Sequence, residues 1–202
     1  MRTLRLNAAN TTEIANAAAE QLRDGAVIAA PTETVYGLMT AWSNTAGRER
    51  ISQLKRRSPD KHLQMLAPDL EAAHRVGLLQ DARIQAIAEA FWPGPLTLVC
   101  PAKGSYETIG LRIPDHAFVL ALLRCLEQPL AATSANLSGT SAATVAEEAG
   151  RDLDGLPDLL IDGGKTVGQA STVASVVGGD LTIFREGPVA ADALRGIWAS
   201  PV

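Results

Sequence analysis

Four places in this chain set cations or hydroxyls where they could grip an anionic ligand. Residues 25–38 read GAVIAAPTETVYGL. The apolar run 26–30 predicts a buried strand, Pro31 ends it because proline cannot donate to a ladder, and Thr32, Glu33 and Thr34 then deliver two hydroxyls and a carboxylate to one end. Residues 129–139, PLAATSANLSG, repeat the plan: a short apolar strand, then Thr133, Ser134, Asn136 and Ser138. Two such strand ends in one chain point to a shared polar site at one edge of a sheet, where open α/β sheets bind ligands. A third place is the basic run Lys55, Arg56, Arg57, with Lys61 and His62 close behind. It reads either as a solvated helix end, favoured by the helix dipole, or as a phosphate-gripping cluster. The fourth is Arg112, alone inside the apolar run 109–113; it either snorkels to an edge or meets an anion. Guanidinium and ammonium groups match phosphate oxygens, and hydroxyls and an amide can fix a sugar and base, so the set suits a nucleotide. There is no G-x-x-x-x-G-K-[ST] loop and no G-x-G-x-x-G after a strand, so a nucleotide here needs neither a P-loop nor a Rossmann crevice.

Other chemistries find less support. His62, His74 and His116 are scattered and read as structural or surface groups, and no serine–histidine or cysteine–histidine pairing suggests an acyl-enzyme. Cys100 and Cys125 lie far apart, in neither a metal-binding spacing nor the company of a base; they read as buried thiols in a reducing compartment. No metal held by protein side chains is expected. A net charge of −4 argues against a large polyanion-binding surface but leaves room for a local basic patch. No apolar segment reaches the roughly 18 residues that would span a bilayer, and the first residues hold no apolar run of signal length, so a cytoplasmic protein is expected.

The elements that must position these groups follow from periodicity. Asn10 with Glu13 predicts a capping box at the start of a helix that Gly25 ends. Asn44 or Thr45 starts a second helix, which runs into the basic cluster. Strands are expected at 63–67, 96–100, 109–113 and 159–162, and a hairpin from 171 to 184 across Gly178 and Gly179. Helices are expected after Asp69 and Asp81, over 117–126, after a Thr144 cap, and from 190 to about 198. At 202 residues and 47% hydrophobic content the chain suits one domain. Its class is α/β shading into α+β: a single twisted mixed β-sheet with flanking helices.

Five blocks, in order, give the chain a family resemblance. They are Pro31-Thr32-Glu33-Thr34-Val35-Tyr36-Gly37-Leu38; Lys55-x-Arg57 with Asp60-Lys61; Trp92-Pro93-Gly94-Pro95-Leu96-Thr97; Leu111-Arg112-Ile113-Pro114-Asp115-His116; and Thr133-Ser134-Ala135-Asn136-Leu137-Ser138-Gly139. Weaker echoes stand at Ser171-Thr172-Val173 and Arg185-Glu186-Gly187. Together they resemble the YrdC domain family, the threonylcarbamoyl-AMP synthases, over about residues 10–188, in the family's short form. The resemblance implies one YrdC-like domain across 1–202, with a concave ligand-binding face. It implies a nucleotidyltransferase that condenses L-threonine, bicarbonate and ATP, with Mg²⁺ accompanying the ATP, into threonylcarbamoyl-AMP and pyrophosphate. Partner proteins of tRNA modification would then carry the group to adenosine 37; direct RNA contact is left open. By similarity Lys55, Arg57, Ser134 and Asn136 meet the nucleotide, joined by Arg185, Lys61 and Thr144, and Lys55 and Arg57 are the catalytic pair. Thr34, Arg112 and Ser171 would hold threonine, Arg112 facing its carboxylate. Lys55 and Arg57 are expected at a solvated site, where truncation would spare the fold.

The chain departs from the family where Ser58-Pro59 follows Arg57, where His62 follows Lys61, and where Ala174 and Ser175 follow Ser171-Thr172-Val173. Two other readings stay open: an RNA-binding module of the same fold, and a divergent paralogue acting on another substrate.

Overall fold

The computed structural model describes residues 1–58, 61–104 and 107–200. Its ten strands are β1 (Arg2–Arg5), β2 (Ile28–Pro31), β3 (Tyr36–Ala41), β4 (Gln64–Leu66), β5 (Leu96–Pro101), β6 (Thr108–Arg112), β7 (Leu130–Ser134), β8 (Leu159–Asp162), β9 (Thr172–Ser175) and β10 (Thr182–Arg185). All join one sheet in the order β1-β8-β2-β3-β7-β4-β6-β5-β9-β10. Neighbours β1/β8, β2/β8, β4/β6 and β5/β9 are parallel and the other pairs antiparallel. The helices are α1 (Thr11–Arg23), α2 (Thr45–Leu54), α3 (Leu70–Arg75), α4 (Ala82–Phe91), α5 (Ala117–Leu126), α6 (Ala146–Arg151) and α7 (Ala191–Ala199). A mixed sheet with helices packed on it is the class that the sequence implies.

Most predicted boundaries hold to within a residue or two, for local reasons. Asn44, Asp69 and Asp81 each accept a backbone N–H of the following first turn, the usual N-cap arrangement. Gly25, at φ +91°, closes α1, its N–H donating to Leu22 O and that of Ala26 to Gln21 O. Two predicted caps are not made. Asn10 precedes α1 but caps nothing; its Oδ1 accepts the N–H of Asn7 instead. Thr144 lies one residue too early, since Val145 precedes α6, and its N–H and hydroxyl both donate to Glu148.

The core divides according to the strands' period of two. In β2 and β8, Ile28, Ala30, Leu159 and Ile161 face α1 and α5, while Ala29 and Leu160 face α2 and α6. That half of the sheet is covered on both sides. In the other half Leu96, Leu98, Cys100, Ile109 and Leu111 pack against α3, α4 and α7. Their alternates Thr97, Val99, Thr108, Gly110 and Arg112 floor a cavity.

Candidate active site

The cavity measures about 940 Å³. One wall is the sheet face of β7, β4, β6, β5 and β9. The other is the side of α2 carrying Thr45, Arg48, Glu49, Ser52 and Gln53, residues at helical spacing along one face, with Arg56 just past its end. Among the described lining residues Arg48, Arg56, Arg57, Lys61, Arg112 and Arg185 face a single carboxylate, Glu49. The lining is therefore strongly cationic although the chain as a whole is acidic.

The basic cluster splits at the end of α2. The chain turns back at Arg56, which adopts the left-handed region at φ +47° and pairs outside with Asp154 at 2.8 Å. Its neighbours therefore point different ways. Arg57 reaches the cavity, pinned by Nη1 to Thr133 Oγ1 at 3.0 Å and by Nη2 to His62 O at 2.8 Å. Burial pushes its pKa down from the ordinary arginine value. Lys55 turns inward and is 2% exposed. Its Nζ donates to the Ser134 carbonyl, to Asn136 O at 2.7 Å and to Asn136 Oδ1 at 3.2 Å. Burial, and then the Arg57 charge, lower its pKa to about 8.

The family quartet is thus divided. Arg57 and Ser134 line the cavity; Lys55 and Asn136 do not. Asn136 is occupied from every side, its Nδ2 donating to Leu137 O and Thr140 O. Lys55 and Asn136 build the turn that carries Ser134, and Lys55 sits in no solvated position. Thr144 also stands away from the cavity, bonded to Glu148. Lys61 lines it; Pro59 and Asp60, part of the same sequence block, lie outside the described residues.

The residues assigned to an amino acid come together. Arg112 is 3% exposed, and its Nη2 donates to Thr34 Oγ1 at 2.9 Å. The two readings of its burial resolve toward an anion: Glu33 Oε1 lies 2.7 Å from the same nitrogen. Yet among the described residues neither Glu33 oxygen nor Arg112 Nε makes a hydrogen bond of good geometry. The guanidinium is held but not saturated. Thr34 and Thr32 hydroxyls lie 2.8 Å apart and Thr32 donates onward to Val35 O, so the Thr34 proton is directed at Thr32. His116, half-buried beside Glu33 and Arg112, has its pKa lowered, chiefly by burial.

Ser171 lies in the same wall, with its carbonyl accepting from Arg185 Nε at 3.1 Å and Nη2 at 2.8 Å. Burial, then the Arg112 charge, lowers the Arg185 pKa. Gly187 makes this approach possible: a Cβ there would collide with the Ala170 carbonyl and the Thr172 nitrogen. The Trp-Pro-Gly-Pro turn has a similar positioning task. Trp92 Nε1 donates to Leu96 O, Gly94 N to Ile113 O, and Thr172 N to Pro95 O, which ties β5, β6 and β9 together at the ends carrying Thr97, Arg112 and Ser171.

Sequence reasoning missed two wall residues, Gln64 and Thr97, which form a hydrogen-bonded line with Ser171. Each stands between apolar neighbours in a strand, the same signal that singled out Arg112. Among the described residues no group of three His, Cys, Asp or Glu could hold a metal ion. No helix among the described residues is long and apolar enough to cross a membrane.

Comparison with known proteins gives consistent results. The Sua5_yciO_yrdC family model, described as "Telomere recombination", matches residues 20–187. The chain is 36% identical over 198 residues to a Bacillus subtilis protein named threonylcarbamoyl-AMP synthase, covering 93% of this chain and 57% of that protein. It is 35% identical over 179 residues to the Pyrococcus abyssi protein of the same name, covering 84% of this chain and 53% of that one. It therefore spans only a little over half the length of these relatives. The structure of P. abyssi Sua5 complexed with L-threonine aligns with a TM-score of 0.87 at 31% identity, over 97% of this chain and 60% of that one. E. coli YciO, at 23% identity and a TM-score of 0.84, covers 96% of this chain and 98% of its own, a likeness of fold.

Proposed function

The chain belongs to the Sua5/YciO/YrdC family, and on that premise we propose that it is a nucleotidyltransferase that makes threonylcarbamoyl-AMP from L-threonine, bicarbonate and ATP. The observation that carries this reading is the buried Arg112, held by Thr34 and Glu33 but not saturated, in the wall of a cavity that also carries Arg57, Lys61 and Arg185. One end is thus suited to a single carboxylate and the rest to several phosphate oxygens. At about 940 Å³ the cavity lies at the upper end of the usual range for small-molecule sites, which suits two substrates together.

In this reading the residues act by placement and charge. Arg112, itself held by Thr34, orients the threonine carboxylate, and Ser171 contacts the same ligand. Arg57, Arg185 and Lys61 stand toward the phosphates, where negative charge builds as a carbamate oxygen attacks the α-phosphorus and pyrophosphate leaves. Mg²⁺ would shield the triphosphate charge when bound. Ser134 offers a hydroxyl with no partner among the described residues, carried on the turn that Lys55 and Asn136 build. The product would pass to partner proteins that modify adenosine 37 of tRNA.

Pyrophosphate release from ATP and Mg²⁺ by the purified chain, with L-threonine and bicarbonate omitted in turn, tests this. Release that needs both is expected. Release without threonine, or none from a folded protein, would overturn it.

A further inference from the structure

We propose that Gln64, acting through Thr97, fixes Ser171 as a pure hydrogen-bond acceptor toward the cavity, so that this wall selects a ligand with an N–H donor over one with an acceptor at that point. The inference rests on the amino-acid reading of the site given above.

The argument is a count of protons. Thr97 Oγ1 lies 2.8 Å from Gln64 Oε1 and 3.0 Å from Ser171 Oγ. A hydroxyl carries one proton. The amide oxygen can only accept, so the Thr97 proton is committed to Gln64. The contact between the two hydroxyls can then be made only by the Ser171 proton. Ser171 Oγ is left with lone pairs alone for anything else that approaches it.

The arrangement is held firmly enough for that to matter. Thr97 and Ser171 are each 4% exposed, so water has little access to substitute for either bond. Thr97 sits in β5 between the fully buried Leu96 and Leu98. Ser171 is anchored through its carbonyl by Arg185, and the next residue through its N–H to Pro95 O. Turning the Ser171 hydroxyl toward the cavity would leave a buried Thr97 lone pair unpartnered, a loss comparable to a hydrogen bond.

This suits the proposed chemistry at every stage. The nitrogen of an amino acid keeps at least one N–H as ammonium, as carbamate and in the carbamoyl product. A 2-oxo acid of the same skeleton would set a carbonyl lone pair against a serine lone pair. Gln64 and Thr97 are positioning residues here: they touch the ligand only through Ser171.

The test compares two ligands that differ only at C2, L-2-aminobutanoate and 2-oxobutanoate, as competitors for L-threonine measured by calorimetry. The wild type is expected to prefer the amine by about tenfold or more. In Thr97→Val the ratio should fall by about tenfold, the oxo acid gaining, because the Ser171 proton is then free to turn. Gln64→Met, at a half-buried position that tolerates the change more readily, should lower the ratio in the same direction. Thr97→Ser and Gln64→Glu keep the acceptor line and should keep the ratio, even where the added charge of Gln64→Glu weakens both ligands together. Loss of both affinities in proportion, with the ratio fixed in Thr97→Val and Gln64→Met, would reduce these residues to a structural role and overturn the proposal. Failure of the wild type to bind L-threonine at all would overturn the substrate reading itself, and the proposal with it.

Discussion

Lys55 and Arg112 are buried to the same depth, 2% and 3% exposed, yet they are used in opposite ways. Lys55 has three oxygen acceptors for its three protons, two of them main-chain carbonyls of the turn after β7. Nothing of its ammonium is left for a ligand. Arg112 has one good hydrogen bond, to Thr34, and a carboxylate at contact distance that is poorly aligned with it; it also faces the cavity. Both cations stand behind hydroxyl-rich strand ends that read alike in the sequence. The difference shows that a buried cation becomes a binding group when its own fold leaves it short of acceptors. A cation that the fold saturates, as at Lys55, holds the turn whose carbonyls it meets.

The largest effect should come from breaking the saturated side. Lys55→Met leaves the Asn136 carbonyl and Asn136 Oδ1 without their donor, at about 1–3 kcal/mol for each buried group, and the Ser134 carbonyl with only the Asn136 N–H among the described residues. A loss on the order of 3 kcal/mol or more in unfolding free energy is expected in urea titrations, with activity falling because the Ser134 turn is released. An unchanged urea midpoint with activity gone would mean that Lys55 leaves its carbonyls to meet a ligand, and the contrast with Arg112 would disappear.

Arg112→Ala addresses the other side. Removing a charge-assisted bond to a ligand carboxylate costs about 2–3 kcal/mol, or roughly 30- to 150-fold. That loss should fall on the threonine dependence of pyrophosphate release, with the ATP dependence changed by about threefold at most. Equal effects on both substrates would remove Arg112 from the carboxylate role. Glu33 is left without its cation in this variant, so the comparison is best repeated with Glu33→Gln added, which spares the fold an uncompensated buried carboxylate.

How legible these roles were differs from residue to residue. Most strands and helices, and the meeting of the two polar strand ends, follow from short apolar runs, Asn and Asp caps and turn residues; β1 and β3 were not predicted. β3 and β7 pair with Gly37 opposite Ser134, which brings the ends together as their shared composition suggests. Arg112 was legible as an anomaly in an apolar strand. Thr97 and Gln64 carried the same signal, more faintly, because a threonine or glutamine between apolar neighbours is less improbable than an arginine. Lys55 was not legible: its direction depends on a left-handed turn at Arg56, a conformation that residue type does not announce. The idle caps at Asn10 and Thr144 have a similar cause. Each side chain found a different acceptor or donor, in Asn7 and Glu148, which only the folded chain supplies.

The smallest of the expected effects sharpens the contrast through pH. Lys55 titrates at about 8 in the fold, pushed down by burial and then by Arg57, and near 10.4 when unfolded. Below pH 8 both states carry the proton, and stability is independent of pH on this account. Above pH 8 the folded state releases its proton while the unfolded chain keeps it. The unfolded state then binds more protons, so stability rises with pH until the unfolded lysine also titrates. Between pH 8 and 9 the gain should be about 1 kcal/mol. Lys55→Met should lose this rise entirely, whereas Arg112→Ala should keep it, because an arginine guanidinium stays charged throughout that range. A wild type whose urea midpoint is flat from pH 8 to 9 would mean that the three oxygens hold the ammonium charged in spite of its burial, and Lys55 would then be a fixed cation like Arg112, different only in what it faces.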